Sequence, residues 1–393
     1  IKAIFARSYG LFGSVRLSAV EHHVIEAKPE NVIEDLRLHD PWPALLQYVE
    51  ALDLDSLDAM TFKHVPYIVL LIKAARAWVN VHGTLPEDRP SQKEFKKSIA
   101  NLQRTNNSGS QYEGENFKEA MDAAHRLWAH ASLSREMTAA LASEKCTPTK
   151  ETPKFWILMA ALKQFMKQND GRLPLQGNIP DMTSTTDLYL ALKRLYQQKA
   201  EEDCSAMATL VRQILESLQR DQGEISAERI ALFCKNSRYV RSLEYRPLGE
   251  EYDELQSSSN REQKPQNLHS YLSNEDTAEN AFIYVLFHAA GRFFSTYNHF
   301  PGIFDGEVQE DIPRLKNIVL NMLAEAGLPS FPVSGDYVHE LCRCGAGEIH
   351  TVAAVVGGIV AEEAIKLVTE QFTPLSGTLI YNAIRSTMLV LDL

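Results

Sequence analysis

Hydrophobic and polar positions alternate at the start of the chain. Ile1-Lys-Ala-Ile-Phe5-Ala-Arg-Ser-Tyr9 reads as one arm of a hairpin that turns over Gly10 to Gly13 and returns as Val15 to Val20. From Pro41 to about Pro332 helical spacing replaces the alternation and strand signals are weak. A loose threefold echo runs through this region. Apolar stretches at 65–78, 152–165 and 279–293 each lead to a turn and a hydrophobic-Pro step, at Leu85-Pro86, Leu173-Pro174 and Phe300-Pro301. The copies are unequally spaced, which excludes a regular solenoid and predicts three core helices of one all-α region. Thr105-Asn-Asn-Ser-Gly-Ser110 and Gln256 to Pro265 are polar and predict exposed linkers.

The pattern is most pronounced near the end. From Val352 to Ala361 only Gly357 and Gly358 interrupt an apolar run, and polar side chains enter at Glu362, Glu363, Lys366 and Thr369. This predicts a helix from Val352 to about Thr369, with Thr351 as N-cap and Phe372-Thr-Pro374 ending it. Its first half should be buried nearly all round, and the run is too short to span a bilayer. Two helical glycines cost about 1 kcal/mol each relative to alanine, so close approach of another backbone is expected there. Thr378 to Tyr381 and Ser386 to Leu391 then read as two strands joined by a turn.

Composition narrows the class. The 393 residues suffice for two or more domains, and the net charge of −11 is spread along the chain. That balance argues against a nucleic-acid or anionic-membrane surface and suits a soluble intracellular protein. Five cysteines without framework spacing argue for a reducing compartment. Neither a signal peptide nor a membrane-spanning run is evident. The chain opens without methionine, within a strand, so it reads as the C-terminal part of a longer protein or of an unusual isoform.

The apolar helix with Gly357-Gly358, then Glu362-Glu-Ala-Ile-Lys366, Gln371-Phe-Thr-Pro374 and Ile380-Tyr381, resembles the crossover helix of the ubiquitin-like activating enzymes. Within these the chain is similar to the regulatory subunits of the neddylation activating enzyme, the amyloid-precursor-protein-binding-protein family. Arg7-Ser-Tyr-Gly10-Leu-Phe-Gly13 and Glu34-Asp-Leu-Arg-Leu38 with Pro41 and Pro43 support this. The resemblance implies an α/β ThiF-type, Rossmann-like adenylation fold, incomplete at its N-terminus, with a large inserted all-α domain. Residues 1–40 and 333–393 would be the two pieces of that fold. Residues 41–332 would be a helical insert in the place of the catalytic-cysteine domain. By the same resemblance the chain is a non-catalytic subunit of a heterodimer in the cytoplasm and nucleus. Its partners would be a catalytic subunit, which holds ATP and magnesium, and the ubiquitin-like modifier. Ile179, Pro180, Asp181 and Met182, with Tyr189 and Leu192 on the following helix, resemble the segment that contacts the catalytic subunit. Gly357 and Gly358 belong to the half expected to pack on an equivalent half.

The residues alone supply little catalytic chemistry. Cys146-Thr147 invites comparison with the Cys-Thr step of active members, but Pro148 replaces an aliphatic residue and the spacing to Pro153 is one residue long. An autonomous thioester-forming enzyme using Cys146 and a generic helical adaptor are the alternatives. His339, Cys342, Cys344 and His350 suggest zinc, yet only one residue separates the cysteines where zinc sites use two or more. Gly345-Ala-Gly347 follows a predicted helix rather than a strand, so it is a weak phosphate loop, and no cofactor site is expected in this chain. Glu362 and Glu363 point about 100° apart on a helix and cannot share a proton.

Overall fold

A computed structural model describes residues 2–30, 34–103, 114–128, 133–249, 268–304, 306–328 and 330–393. Both predicted linkers lie outside these. The strands β1 (Ala3–Tyr9), β2 (Phe12–Ser18) and β3 (Glu21–Val24) come first. Among the described residues nine α-helices follow: α1 (Pro43–Ala51), α2 (Ala59–Phe62), α3 (Tyr67–His82), α4 (Arg89–Ala100), α5 (Glu115–Ala123), α6 (Arg135–Ala142), α7 (Lys154–Gln168), α8 (Thr186–Ser217) and α9 (Ala227–Asn236). Then come β4 (Arg241–Glu244), α10 (Leu268–Ser273), α11 (Ala278–Tyr297), α12 (Val308–Glu325), α13 (Gly335–Cys344), α14 (His350–Thr369), β5 (Thr378–Asn382) and β6 (Thr387–Leu391). The chain is thus a mixed α/β protein, mostly helical, with a small antiparallel sheet.

It divides into two compact units, residues 1–27 with 242–393, and residues 28–241. In the first, the sheet order is β1-β2-β5-β6 and all three ladders are antiparallel. The hairpin is tighter than the sequence suggests. Tyr9 pairs with Phe12, which leaves a two-residue turn of Gly10 and Leu11. Gly10 has φ +56°, the conformation that a glycine-led hairpin turn requires, and a Cβ there would overlap Cys344 Sγ. Gly13 allows a helix to approach closely, since a Cβ on it would lie 2.5 Å from Val356 Cγ2.

Alternating residues give the sheet two apolar faces. Tyr9, Phe12, Ile380 and Leu391 form one core with α11, α12 and α13. Val15 and Leu379 form another with Val352 and Val356 of α14. The boundaries between units therefore differ from those expected at 40/41 and 332/333. Residues 242–332 belong with the sheet, because α11 packs on β5 and β6. Its all-round apolar pattern suits a helix held between a sheet and other helices as well as one inside a bundle, and periodicity does not distinguish them.

The second unit is helical, and α3 lies at the centre of its principal core with Leu36, Leu45, Phe95, Phe117 and Tyr196. Buried polar groups pin the entering chain: Tyr196 donates from its hydroxyl to the Leu36 carbonyl at 2.6 Å, and Arg37 Nη2 to the Leu173 carbonyl at 2.7 Å. The predicted helices at 65–78, 152–165 and 279–293 are present as α3, α7 and α11. A residue with positive φ follows each of them, at Gly83, Gly171 and Asn298.

Candidate partner interface

Helix α14 starts two residues before the expected position. Its N-cap is Ile349, with no side-chain cap, and Thr351 lies in the first turn. It stops at Thr369 because Glu370 turns left-handed (φ +56°), ahead of the expected Phe372-Thr-Pro374. The expectation of all-round burial is overturned. Val352, Val356 and Glu363 are buried, at the spacing of the face on β1 and β2, while Ala354, Gly357, Gly358 and Ala361 are exposed. Ile365 (62% exposed) and Val368 (83%) continue that stripe, and Phe372 (47%) lies just beyond the helix end. No described neighbour packs on the glycines: a Cβ at Gly357 or Gly358 would meet nothing within 4 Å. An apolar helix face that no described residue covers is a candidate docking surface.

The sheet-facing side of the helix is fixed by a buried carboxylate. Glu363 accepts from Lys366 Nζ and from the Leu375 N–H, both at 2.6 Å, which ties the segment after the helix to its fourth turn. Glu362 also reaches Lys366, at 3.0 Å. The two acids point apart, as their spacing predicts, and one lysine at i+3 and i+4 collects both.

The residues named on the second unit are placed differently from one another. Ile179 and Leu192 are buried in that unit's own core, and Met182 and Tyr189 pack half-buried against it. Thr183 is held to α5 by Glu119, which accepts from its N–H at 2.9 Å and its hydroxyl at 2.7 Å. Pro180 is half-buried, Asp181 is exposed, and Leu190 on α8 is exposed too (41%). Of the eight residues, Asp181, Gly357 and Gly358 thus present open surface, and the buried ones act through packing. Sequence reasoning missed Ile365 and Val368. Their spacing from Gly358 and Ala361 could have shown them, but the pattern gives a face and not what covers it.

No family model matches the chain. It is 40% identical over 387 residues to the NEDD8-activating enzyme E1 regulatory subunit AXR1 of Arabidopsis thaliana, covering 98% of this chain and 69% of that protein. It is 35% identical over 390 residues to the NEDD8-activating enzyme E1 regulatory subunit of Xenopus laevis, covering 98% and 72%. With the subunit of Saccharomyces cerevisiae the identity is 27% over 389 residues, covering 96% and 69%. The chain belongs to the family of NEDD8-activating enzyme E1 regulatory subunits.

Cys146 is buried (7% exposed), and its Sγ lies 3.1 Å from the Ala140 carbonyl, to which it donates. Burial pushes its thiol above the usual range, and the Lys163 charge offsets this only in part. A nucleophilic thiol needs access and a lowered pKa, and Cys146 has neither. Cys342, on α13, is buried in the core, where burial pushes its thiol up to about 12. Cys344 donates to Glu340 Oε1 at 3.3 Å, while His339 and His350 are exposed. Among the described residues, these four side chains are not a group whose ligand atoms converge. Gly345-Ala-Gly347 is the left-handed end of α13, and the Gly347 carbonyl accepts from the Gly10 N–H at 2.9 Å. The two glycine motifs thus meet each other.

Proposed function

We propose that the chain serves as the regulatory subunit of the heterodimeric NEDD8-activating enzyme, with adenylation and thioester formation carried out by the partner subunit. The observation that carries this reading is the match to regulatory subunits over nearly the whole chain. The open stripe on α14 agrees with it. In this reading the sheet unit is part of a ThiF-type, Rossmann-like adenylation fold, and its α14 face packs on the catalytic subunit. Residues 28–241 stand where an active relative has its catalytic-cysteine domain, and Asp181 and Leu190 mark a second contact. The ubiquitin-like modifier is the further partner and nucleic acid is not one. ATP and magnesium are held by the catalytic subunit, and the pair works in the cytoplasm and nucleus. Among the described residues no helix is long and apolar enough to cross a membrane.

The test is ATP–pyrophosphate exchange on each chain alone and on the pair. Exchange that needs the partner, and thioester formation by the pair that survives Cys146→Ala, is the expected result. Exchange by this chain alone would return Cys146 to consideration as a nucleophile.

A further inference from the structure

Two of the free cysteines meet across neighbouring helices of the second unit. Cys204 lies on α8 and Cys234 on α9, and the two helices pack on each other. Along α8 the buried residues recur at Asp203, Met207, Leu210, Val211 and Ile214. Cys204 stands half-buried at the edge of that stripe. On α9 the buried residues are Ile230, Phe233 and Cys234, and Cys234 is only 3% exposed. Their side chains are hydrogen-bonded, the Cys234 thiol donating to Cys204 Sγ. Cys146 and Cys344 point elsewhere, to the Ala140 carbonyl and to Glu340.

The two thiols are unequal. Burial raises Cys204 above its usual range, and the hydrogen bond from Cys234 offsets part of that. Burial also raises Cys234, and Cys204 and the Asp203 charge act in the same direction. Asp203 is fixed beside the pair, accepting from Lys199 Nζ at 2.7 Å and from the Leu175 N–H at 3.0 Å. Cys204 is therefore the sulfur that solvent reaches and the one whose thiolate its neighbour favours. A single buried thiol is inert. Two in contact are not, because once one is oxidised the other already stands at the sulfur it must attack.

We propose that Cys204 and Cys234 form a site of reversible oxidation, at which a hydroperoxide joins α8 to α9 through a disulfide. The Cys204 thiolate attacks one peroxide oxygen, the O–O bond breaks, and the other oxygen leaves with the thiol proton as an alcohol, or as water from hydrogen peroxide. The Cys234 sulfur then attacks the resulting sulfenic acid. The S–S bond forms, the S–O bond breaks, and the Cys234 proton leaves with the hydroxyl as water. Each sulfur gives up one electron and the peroxide takes both. A dithiol reverses the bond by exchange. The inference rests on the second unit alone and does not depend on the proposed function.

Mass spectrometry of the full chain, folded and treated with hydrogen peroxide, tests it. The chain should become lighter by two hydrogens. Peptide mapping without reductant should join the Cys204 peptide to the Cys234 peptide at least about tenfold more than any other cysteine pair. Dithiothreitol should restore the starting mass. In denaturant the preference should vanish, since the contact belongs to the fold. Cys204→Ser should stay folded, because Cys204 is half-exposed, and should lose the link, as should Cys234→Ala. The proposal is overturned if excess peroxide leaves both thiols reduced, if it oxidises them singly without joining them, or if the link forms as readily in denaturant.

Discussion

Helices α11 and α14 are both twenty residues long, and they lie on opposite faces of one four-stranded sheet. Eleven residues of α11 are buried, from Asn280 to Phe293, against three of α14. Both sequences are apolar most of the way round, so composition does not explain the contrast. Cover does. The sheet lies on one side of α11, and α10, α12 and α13 pack around the rest. The sheet is the principal neighbour of α14, and its other side shows Gly357, Gly358, Ala361, Ile365 and Val368. One helix completes a core within its unit, and the other has the sequence of a core helix with half its packing left open. The proposed function assigns that half to another chain.

The largest effect should come from emptying the closed side. Phe293→Ala removes a fully buried ring and should cost about 3–5 kcal/mol in denaturant unfolding. Val368→Ala, on the open side, should stay within about 0.5 kcal/mol. Equal costs would mean that the contrast in cover is not energetic.

The closed side should also respond to acid. The folded-state pKa of His288 is lowered from its ordinary value to about 4 by burial, with Arg7 and Arg292 acting in the same direction. Such a base is neutral in both states at neutral pH. As pH falls from about 6.5 towards 4 the unfolded chain takes up the proton first, so stability is lost over that window, at no more than about 1.4 kcal/mol per pH unit per histidine. His22 is also lowered to about 4, chiefly by burial, and contributes a parallel loss. His288→Gln should flatten the slope of unfolding free energy against pH by its share and leave that of His22. An unchanged slope would exclude His288.

The smallest effect has the most telling sign. Gly357→Ala and Gly358→Ala place methyl groups where no described atom lies within 4 Å, and each should stabilise the isolated chain by up to about 1 kcal/mol. If the partner's backbone comes close there, the same changes should weaken the heterodimer. Thermal unfolding and binding titration on the same samples give both signs.

These contrasts mark what the sequence could show. The hairpin, β5 and β6, and the helices α3, α7 and α11 follow from alternation, helical spacing and turn residues such as Gly10, Gly83 and Asn298. The place of α11 was not legible, because an all-round apolar helix fits a bundle and a sheet equally well. The candidate interface was legible in part. Gly357 and Gly358 stand out as glycines inside a helix. Ile179 and Leu192 look the same on paper whether they face a partner or their own core, and here they face the core. Cys146 needed its surroundings, since burial rather than the Cys-Thr step decides its reactivity.

The central claim, that the open face of α14 is the seat of the catalytic subunit, is tested most directly by titrating that subunit into Ile365→Asp/Val368→Asp and into the parent chain. Both side chains are exposed, so the isolated variant should keep its stability within about 0.5 kcal/mol. The account predicts that the variant folds and binds at least about a hundredfold more weakly, with pyrophosphate exchange lost in step. Full affinity in a folded variant would contradict it, and would place the catalytic subunit elsewhere on the chain.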